Sequence, residues 1–275
     1  MAMTRRRWRG VVLACMVIAL SGCAAPGGKG AAPQEIPGVT REPTTRRAIG
    51  PSRQVMLGAP DKMITRQISP VWCWAACVEM IYRHEGKAIT QKQIVEQIAG
   101  LDDEGHPKRT RASTADVLCA LDLRIFKWVN GKGSGPSSFD RQWTMDQDLK
   151  SNSRQPTSRG IPRPELRFDP DVLIADMVED RPVIVGLGGN EAQDSEHMIV
   201  IYGVVFEPIE PPRTESERAD AYQILEVHYL DPDGGTKAAM SGQELERRGE
   251  FFATRKRAKE YYKYIVAHQR DLNRR

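Results

Sequence analysis

The sequence predicts an α+β domain, because segments with helical periodicity occupy its first half and β-rich segments follow later. Apolar residues recur at helical spacing up to residue 121, whereas three runs rich in β-branched and aromatic residues lie after residue 181. Helices followed by strands favour an α+β arrangement over a parallel βαβ sheet. The length of 275 residues allows one large domain or two small ones, and the 40% of hydrophobic residues suffices for a core.

Four segments carry helix signals. Ser69 followed by Pro70 is a cap with proline in the first turn, which predicts a helix over residues 69–83. Residues 90–99, 113–121 and 171–179 repeat apolar positions at helical spacing. Each is therefore predicted to pack one face against the core.

The predicted strands lie mainly in the second half of the chain. They are residues 124–129, 182–187, 197–206 and 222–230. Residues 130–168 are polar and rich in Gly, Pro and Ser, which predicts a long surface segment. Residues 241–268 are mixed and charged, and we expect further helix there.

The N-terminal segment predicts a secretory signal peptide over residues 1–22. A basic cluster precedes an apolar run, residues 11–20, that is too short to span a bilayer. The formal net charge is +4, and four of these charges are Arg5, Arg6, Arg7 and Arg9. Because the remaining chain is neutral, its net charge does not call for a polyanionic partner, and we expect no nucleic-acid partner.

The signal peptide ends in Leu20-Ser21-Gly22-Cys23, which resembles the lipobox of bacterial lipoproteins. The resemblance implies cleavage before Cys23 and diacylation of its sulfur. Since residue 24 is Ala rather than Asp, it also implies an outer-membrane anchor facing the periplasm. Residues 23–54, rich in Gly, Pro, Ala and Arg, are then a flexible tether, and residues 55–268 are the folded domain.

Three cysteines remain in the predicted mature domain: Cys73, Cys77 and Cys119. An odd number in an oxidising compartment leaves at least one thiol outside any disulfide. Cys77 and Cys119 are either buried packing residues or a disulfide between the first and third predicted helices. Both alternatives stay open on the sequence.

Cys73 is the candidate nucleophile. The reactive form of cysteine is the thiolate, and a helix N-terminus stabilises that anion through its dipole and its N–H groups. Cys73 follows the predicted helix start by only a few residues, whereas Cys77 lies one turn deeper and lacks this advantage.

The segment Cys73-Trp74-Ala75, with Gln67 six residues before the cysteine, resembles the active-site segment of papain-like cysteine peptidases. The Trp-Cys-Trp-Ala-Ala-Cys form is most similar to bacterial avirulence-effector and bacteriocin-processing peptidases. The resemblance implies a helical half that carries Cys73, packed on an antiparallel sheet that carries a histidine and an acid. It also implies that Gln67 donates a hydrogen bond to the oxyanion.

His197 and Asp231 are the candidates for the histidine and the acid. His197 opens an apolar strand, which resembles the family strand that begins with the catalytic histidine. Asp231 ends the next strand and precedes Pro232, where the family carries Asn or Asp. Asp233 competes for the acid role from the same turn, and His228, inside a strand, is expected to be structural.

The implied activity is hydrolysis of a protein or peptide through a covalent acyl-enzyme, without a cofactor. No metal is expected either, since the cysteines and histidines lack the spacing of zinc ligands. Two alternatives stay open. One is a peptidoglycan endopeptidase or a transglutaminase-like acyl transferase, and the other is a non-catalytic binding module on the same fold.

Overall fold

The computed structural model describes residues 48–104, 106, 112–131, 138–150, 156–158, 160–188, 197–210 and 220–274. The predicted signal peptide, Cys23 and all of the predicted tether before residue 48 lie outside the described residues. Within these ranges the protein has a mixed α+β architecture, with an antiparallel sheet and several helices.

The helices of the first half precede most of the sheet. They are α1 (Pro60–Met63), α2 (Cys73–His84), α3 (Gln91–Ala99), α4 (Thr114–Leu121), α5 (Leu123–Asn130), α6 (Ser138–Lys150) and α7 (Pro170–Val178), and the second half adds α8 (Gly242–Arg248) and α9 (Arg255–Leu272). No helix in the described ranges is both long and apolar enough to cross a membrane.

One antiparallel sheet carries all the described strands. They are β1 (Arg53–Met56), β2 (Val183–Leu187), β3 (His197–Pro208), β4 (Tyr222–Asp231), β5 (Thr236–Ser241) and β6 (Gly249–Ala253). Their order is β5-β4-β3-β2-β6, and β1 pairs with the second half of β3. Residues 198–204 of β3 are buried without alternation, so both faces of the sheet are covered at its centre.

Helix α2 packs against β3 at this centre. Its residues 74–82 are all buried, and their apolar side chains join those of β2, β3 and β4 in one core cluster. The N-terminus of α2 is thereby held against the middle of the sheet, which is the contact that positions the candidate site.

Most of the predicted elements are confirmed, with shifted ends. The predicted helices at 90–99, 113–121 and 171–179 correspond to α3, α4 and α7, and the strands at 182–187, 197–206 and 222–230 correspond to β2, β3 and β4. Strands β1, β5 and β6 were not predicted. β1 begins at Arg53 and α9 ends at Leu272, so regular structure extends beyond both predicted domain limits.

The predicted start of the first long helix is wrong. Ser69 does not cap it: residues 69–71 form a turn, closed by the Trp72 amide donating to the Ser69 carbonyl at 3.0 Å, and α2 begins at Cys73. A capping side chain must accept from an N–H two or three residues on, and this turn separates Ser69 from the first helical residue.

The predicted strand at 124–129 is also wrong, because this segment is helix α5. The side chain of Asp122 accepts from the Arg124 amide and caps the helix. Ile125 and Val129, four residues apart, are the buried positions, and this spacing is helical.

The predicted surface segment at 130–168 contains a helix with a buried face. In α6 the side chains of Thr144, Met145 and Asp148 are buried. Asp148 accepts hydrogen bonds from Tyr261 and Tyr264 of α9, each at 3.0 Å, and from Arg163 at 3.1 Å. The helix is polar in composition because its buried face is partly a hydrogen-bonded ionic cluster.

Candidate active site

Cys73 is the first residue of α2 and is half-buried. The N-cap residue, Trp72, makes no side-chain capping hydrogen bond, and the first turn contains no acidic residue. The positive end of the helix dipole therefore faces the Cys73 sulfur without a competing carboxylate in the same turn.

His197 lies at the start of β3 and Asp231 at the end of the neighbouring strand β4. The antiparallel register pairs Val200 with Leu230, which brings these two strand ends side by side. His197 Nε2 lies 2.8 Å from Asp231 Oδ1, and the Cys73 side chain lies close enough to the imidazole to raise its pKa. With Nε2 engaged by Asp231, Nδ1 is the ring nitrogen left for the thiol.

The two partners of His197 stabilise its charged form. The hydrogen bond with Asp231, followed by the interaction with Cys73, raises the pKa of His197 to about 9, although burial opposes the shift. The same hydrogen bond lowers the pKa of Asp231. At neutral pH the pair is therefore an imidazolium and a carboxylate.

Cys77 lies one turn further along α2 and does not share this environment. It is buried, and burial, followed by the nearby Cys73, raises the pKa of the Cys77 thiol well above its usual value. Cys77 and Cys119 are both buried, with no disulfide between them, which is the first of the two alternatives that the sequence left open.

Gln67 is fixed against the turn that follows Asp231. Its backbone amide donates to the Pro232 carbonyl at 2.7 Å, and its side-chain Nε2 donates to Asp233 Oδ1 at 3.2 Å. A primary amide has two N–H donors, so one remains for a second acceptor. Gln67 Oε1 is buried without a hydrogen-bond partner among the described residues, and turning the amide over would bring this oxygen against the Asp233 carboxylate.

Asp233 therefore has a different role from that of the histidine's acid partner, for which the sequence made it a candidate. It does not contact the imidazole in the described hydrogen bonds; it holds Gln67, and its backbone amide donates to Asp231 Oδ1 at 2.9 Å. Gly235 lets this turn approach the chain before Gln67, because φ is +63° and an added Cβ would lie 3.2 Å from the Arg66 side chain. The Asp-Pro-Asp-Gly-Gly run signalled a turn, but not which segment the turn would contact.

The structure brings together all four residues singled out in the domain sequence: Cys73, His197, Asp231 and Gln67. His228, the histidine expected to be structural, has its Nε2 3.1 Å from Glu226 Oε1. The arrangement offers a nucleophile, a protonated imidazole, an orienting carboxylate and an amide donor.

Three side chains that could hold a metal ion lie together outside the Cys73 site. Among the described residues, Asp102, Glu104 and His106 lie close enough together to share an ion, and all three are exposed. They follow α3, on the connection to α4. This cluster includes none of the four residues of the Cys73 site.

Comparisons with known proteins add no relative to this description. No family model and no curated protein matches the chain.

Proposed function

We propose that this chain is a papain-like cysteine peptidase that cleaves protein or peptide substrates. The observation that carries the proposal is the arrangement Cys73–His197–Asp231 at the N-terminus of α2, in which Asp231 hydrogen-bonds the imidazole and Cys73 also raises the pKa of His197. A nucleophile within hydrogen-bond reach of a base, itself oriented by a third group, is the arrangement that activates a thiol for acyl transfer.

The distribution of the site residues between a helix and an antiparallel sheet supports the papain-like assignment. The nucleophile comes from a helix in the first half of the chain, and the histidine and acid come from neighbouring antiparallel strands in the second half. The order Gln67, Cys73, His197, Asp231 along the chain also matches the resemblance stated for the sequence.

In the first half of the reaction the Cys73 thiolate attacks the carbonyl carbon of the scissile peptide bond. An S–C bond forms, and the carbonyl oxygen takes up the negative charge. The second N–H of Gln67 Nε2 and the backbone N–H of Cys73 are the donors for this oxyanion. His197 then gives its proton to the leaving nitrogen as the C–N bond breaks, which leaves a thioester on Cys73 and releases the amine product.

In the second half a water molecule cleaves the thioester. Neutral His197 takes a proton from the water as the water oxygen attacks the thioester carbon. The S–C bond breaks, the acid product leaves, and the thiolate–imidazolium pair is restored. Asp231 keeps the imidazole oriented and stabilises its charged form in both halves.

We also propose that the peptidase is tethered to the bacterial envelope through lipid on Cys23. The tether predicted from the sequence has 25 residues before Ala48, which pairs with Ile209. A flexible chain of that length would have an r.m.s. reach of roughly 25–30 Å and would keep the catalytic domain close to the membrane. Mass spectrometry tests this proposal: the wild-type protein should begin at Cys23 and carry acyl chains there, and an unmodified Cys23 would rule the anchor out.

The activity is tested by mapping new N-termini in a protein substrate incubated with wild type, Cys73→Ala and Cys77→Ala. Cys77→Ala is the matched control, since it removes a buried thiol one turn away in the same helix. Wild type and Cys77→Ala should generate the same new N-termini, and Cys73→Ala should generate none. Equal cleavage by Cys73→Ala would contradict the proposal.

A thiol-directed epoxide separates the proposal from a non-catalytic module. Peptide mapping should find rapid labelling at Cys73 and none at the buried Cys77 and Cys119 in the native protein. Labelling of Cys73 at the rate of a free thiol would favour the binding module. Soluble muropeptides from sacculi, with no cleavage of proteins, would favour the peptidoglycan endopeptidase instead.

A further inference from the structure

A second concave surface lies at the other end of α2. Two cavities, of about 300 Å³ and about 470 Å³, both use Arg255 and Lys259 as walls, so they adjoin along the first turns of α9. We call their combined surface the basic groove. Its cations are Arg124, Lys127, Arg181, Arg255, Lys256, Lys259 and Lys263.

Two of the four carboxylates that line the basic groove are engaged by cations. Glu85 binds Lys87 and Arg255, and Asp122 binds Arg124. Asp180 faces His84, with 3.4 Å between Oδ2 and Nε2, and Glu260 has no ion-pair partner among the described residues. With seven lysines and arginines against four carboxylates, the lining keeps an excess of positive charge.

Three lysines are left over. Lys127, Lys259 and Lys263 are exposed, and none has an ion-pair partner in the part of the chain that the structure describes. Arg255 and Lys259 are four residues apart in α9, as are Lys259 and Lys263. Like charges at this spacing destabilise a helix, and an anion lying across them would remove that repulsion.

Two of the three arginines of the basic groove are held in place by aromatic rings. The Arg255 guanidinium lies 4.6 Å from the centre of the Tyr82 ring and donates to the Leu121 carbonyl at 3.2 Å. The Arg124 guanidinium lies 5.0 Å from the centre of the Tyr262 ring. Fixed cations lose less conformational entropy when they bind an anion than free side chains do.

The lining distinguishes between kinds of anionic partner. Tyr82 is the aromatic residue of the lining, and it is buried beneath Arg255, so the lining offers no ring for a nucleobase to stack on. The large exposed hydrophobic residues of the described chain lie outside the lining, so nothing there would insert into a lipid surface. Carboxylates spaced along a polypeptide suit an elongated row of separate lysines.

We propose that the basic groove binds an acidic segment of another polypeptide. Tyr82 is nine residues after Cys73 in the same helix, which puts the groove about 14 Å from the nucleophile along the helix axis, at about 1.5 Å per residue. The groove is therefore separate from the candidate active site, and its role does not depend on the proposed peptidase activity.

A fluorescently labelled ten-residue oligoglutamate peptide is the probe, and its anisotropy is measured with the full-length protein. Wild type should bind saturably, and higher salt should weaken the binding. The double variant Lys259→Glu/Lys263→Glu should raise the Kd about tenfold or more, since exposed charge pairs contribute up to about 1 kcal/mol each. Both positions are exposed on α9, and circular dichroism checks that the variant remains folded.

The matched control is Lys62→Glu/Lys92→Glu, which makes the same change in net charge at exposed positions outside the groove lining. It should change the Kd less than twofold. An equal loss in both double variants would show that only net charge matters and would overturn the proposal, as would absence of saturable binding to wild type. Tighter binding of an oligothymidylate or of anionic vesicles through the same lysines would overturn the assignment to an acidic polypeptide.

Discussion

His197 is the residue whose protonation state decides the chemistry proposed here. Its pKa is raised to about 9 because the Asp231 carboxylate, 2.8 Å from Nε2, stabilises the imidazolium, and Cys73 adds to the effect. An imidazolium beside the thiol is the species that pairs with a thiolate and later protonates the leaving amine. The group is thus in its reactive form throughout the neutral range.

We predict that kcat/KM falls on the alkaline side with a pKa near 9, as His197 loses its proton. Asp231→Asn should move this alkaline fall in kcat/KM to lower pH, toward the ordinary histidine pKa of 6.5, because the Asp231 carboxylate is the largest cause of the raised pKa of His197. The pH–rate profile of both proteins checks the expectation. Asp61→Asn, which removes a surface partner of Lys237, should leave the alkaline limb in place, and an unmoved limb in Asp231→Asn would contradict the assignment of the pair.

The same pair links stability to pH. Because the folded-state pKa of His197 lies above its unfolded value, the stabilisation is present in full below about pH 6.5 and is lost as pH rises through about 9. Asp231 contributes in the opposite direction. Because its folded-state pKa is lowered, its stabilisation is present above the unfolded pKa and is lost as pH falls through the lowered value. Between the two ranges both groups are charged and stabilise the fold.

Asp233 is a positioning residue in this scheme, since it acts on the oxyanion through Gln67. Its Oδ1 receives one of the two N–H donors of the Gln67 amide, which sets the direction of the other. A donor that is free to rotate would spend less time aimed at the oxyanion. The loss would be felt in the transition state, where the charge develops, more than in substrate binding.

We predict that Asp233→Ala lowers kcat about tenfold with little change in KM, whereas Asp233→Asn, which keeps an acceptor oxygen, retains most of the activity. Steady-state kinetics of both variants and of Gln67→Ala are the measurement. If the two residues act as a unit, the double variant Gln67→Ala/Asp233→Ala should be no slower than Gln67→Ala alone. Independent, multiplying losses would show that Asp233 does not act through Gln67.

Among the elements, α5 and α6 were predicted wrongly for different reasons. Residues 124–129 contain β-branched and aromatic side chains, but the Asp122 cap and the packing of Ile125 and Val129 place them in a helix. Intrinsic strand propensity is weak enough for a cap and tertiary packing to override it. Helix α6 was missed because its buried face includes polar side chains, which a search for apolar periodicity does not detect.

The ionic cluster around Asp148 joins α6 to α9. Asp148 is 5% exposed and Arg163 is 9% exposed, and Asp148 also accepts from the hydroxyls of Tyr261 and Tyr264. The hydrogen bonds that these donors make to the buried carboxylate offset the free-energy cost of removing its charge from water. Removing the carboxylate takes a shared acceptor from the two tyrosine hydroxyls and the counter-charge from the Arg163 guanidinium, which keeps its hydrogen bond to the Asp148 backbone carbonyl.

We therefore predict that Asp148→Ala lowers the free energy of unfolding by about 3–5 kcal/mol. Urea denaturation monitored by circular dichroism is the measurement. Asp146→Ala is the matched control in the same helix, because Asp146 makes a local hydrogen bond with Gln142, and its loss should cost about 0.5 kcal/mol. Equal losses in the two variants would show that Asp148 has no special part in docking α6.

At the scale of the whole molecule, the site depends on one packing contact between two halves of the chain. The N-terminus of α2 lies against the sheet whose central strands carry His197 and Asp231. The nucleophile and the imidazole are separated by more than 120 residues in sequence, and burial of α2 against β3 brings them together. Substitutions that loosen this interface should affect activity and stability together, because one core supports both.

The charge of the whole chain and the charge of its surface also have to be distinguished. Apart from the first 22 residues the chain is formally neutral, which predicted no polyanionic partner. The structure collects cations from α5, α7–β2 and α9 around one concave surface and pairs two of its four lining carboxylates with specific partners. A neutral sum therefore leaves room for a locally basic groove.

The sequence by itself determined the α+β class, the sites of α2, α3, α4 and α7 and of β2, β3 and β4, and the residue types of the candidate site. These properties depend on local periodicity, capping and short motifs, which are readable within windows of about 10 residues. Gln67, Cys73, His197 and Asp231 were identified through the resemblance of such motifs to those of papain-like cysteine peptidases.

Only the tertiary structure decided the true start of α2 at Cys73, the helical state of residues 123–130, the buried face of α6 and the contact of Asp233 with Gln67. The buried face of α6 and the Gln67–Asp233 contact depend on groups far apart in sequence, which meet only after the sheet and helices have packed. The start of α2 and the helical state of α5 also involve local hydrogen bonds, to Ser69 and to Asp122, that the sequence pattern did not reveal. The direction of the Gln67 amide is the clearest case, because its partner lies 166 residues away.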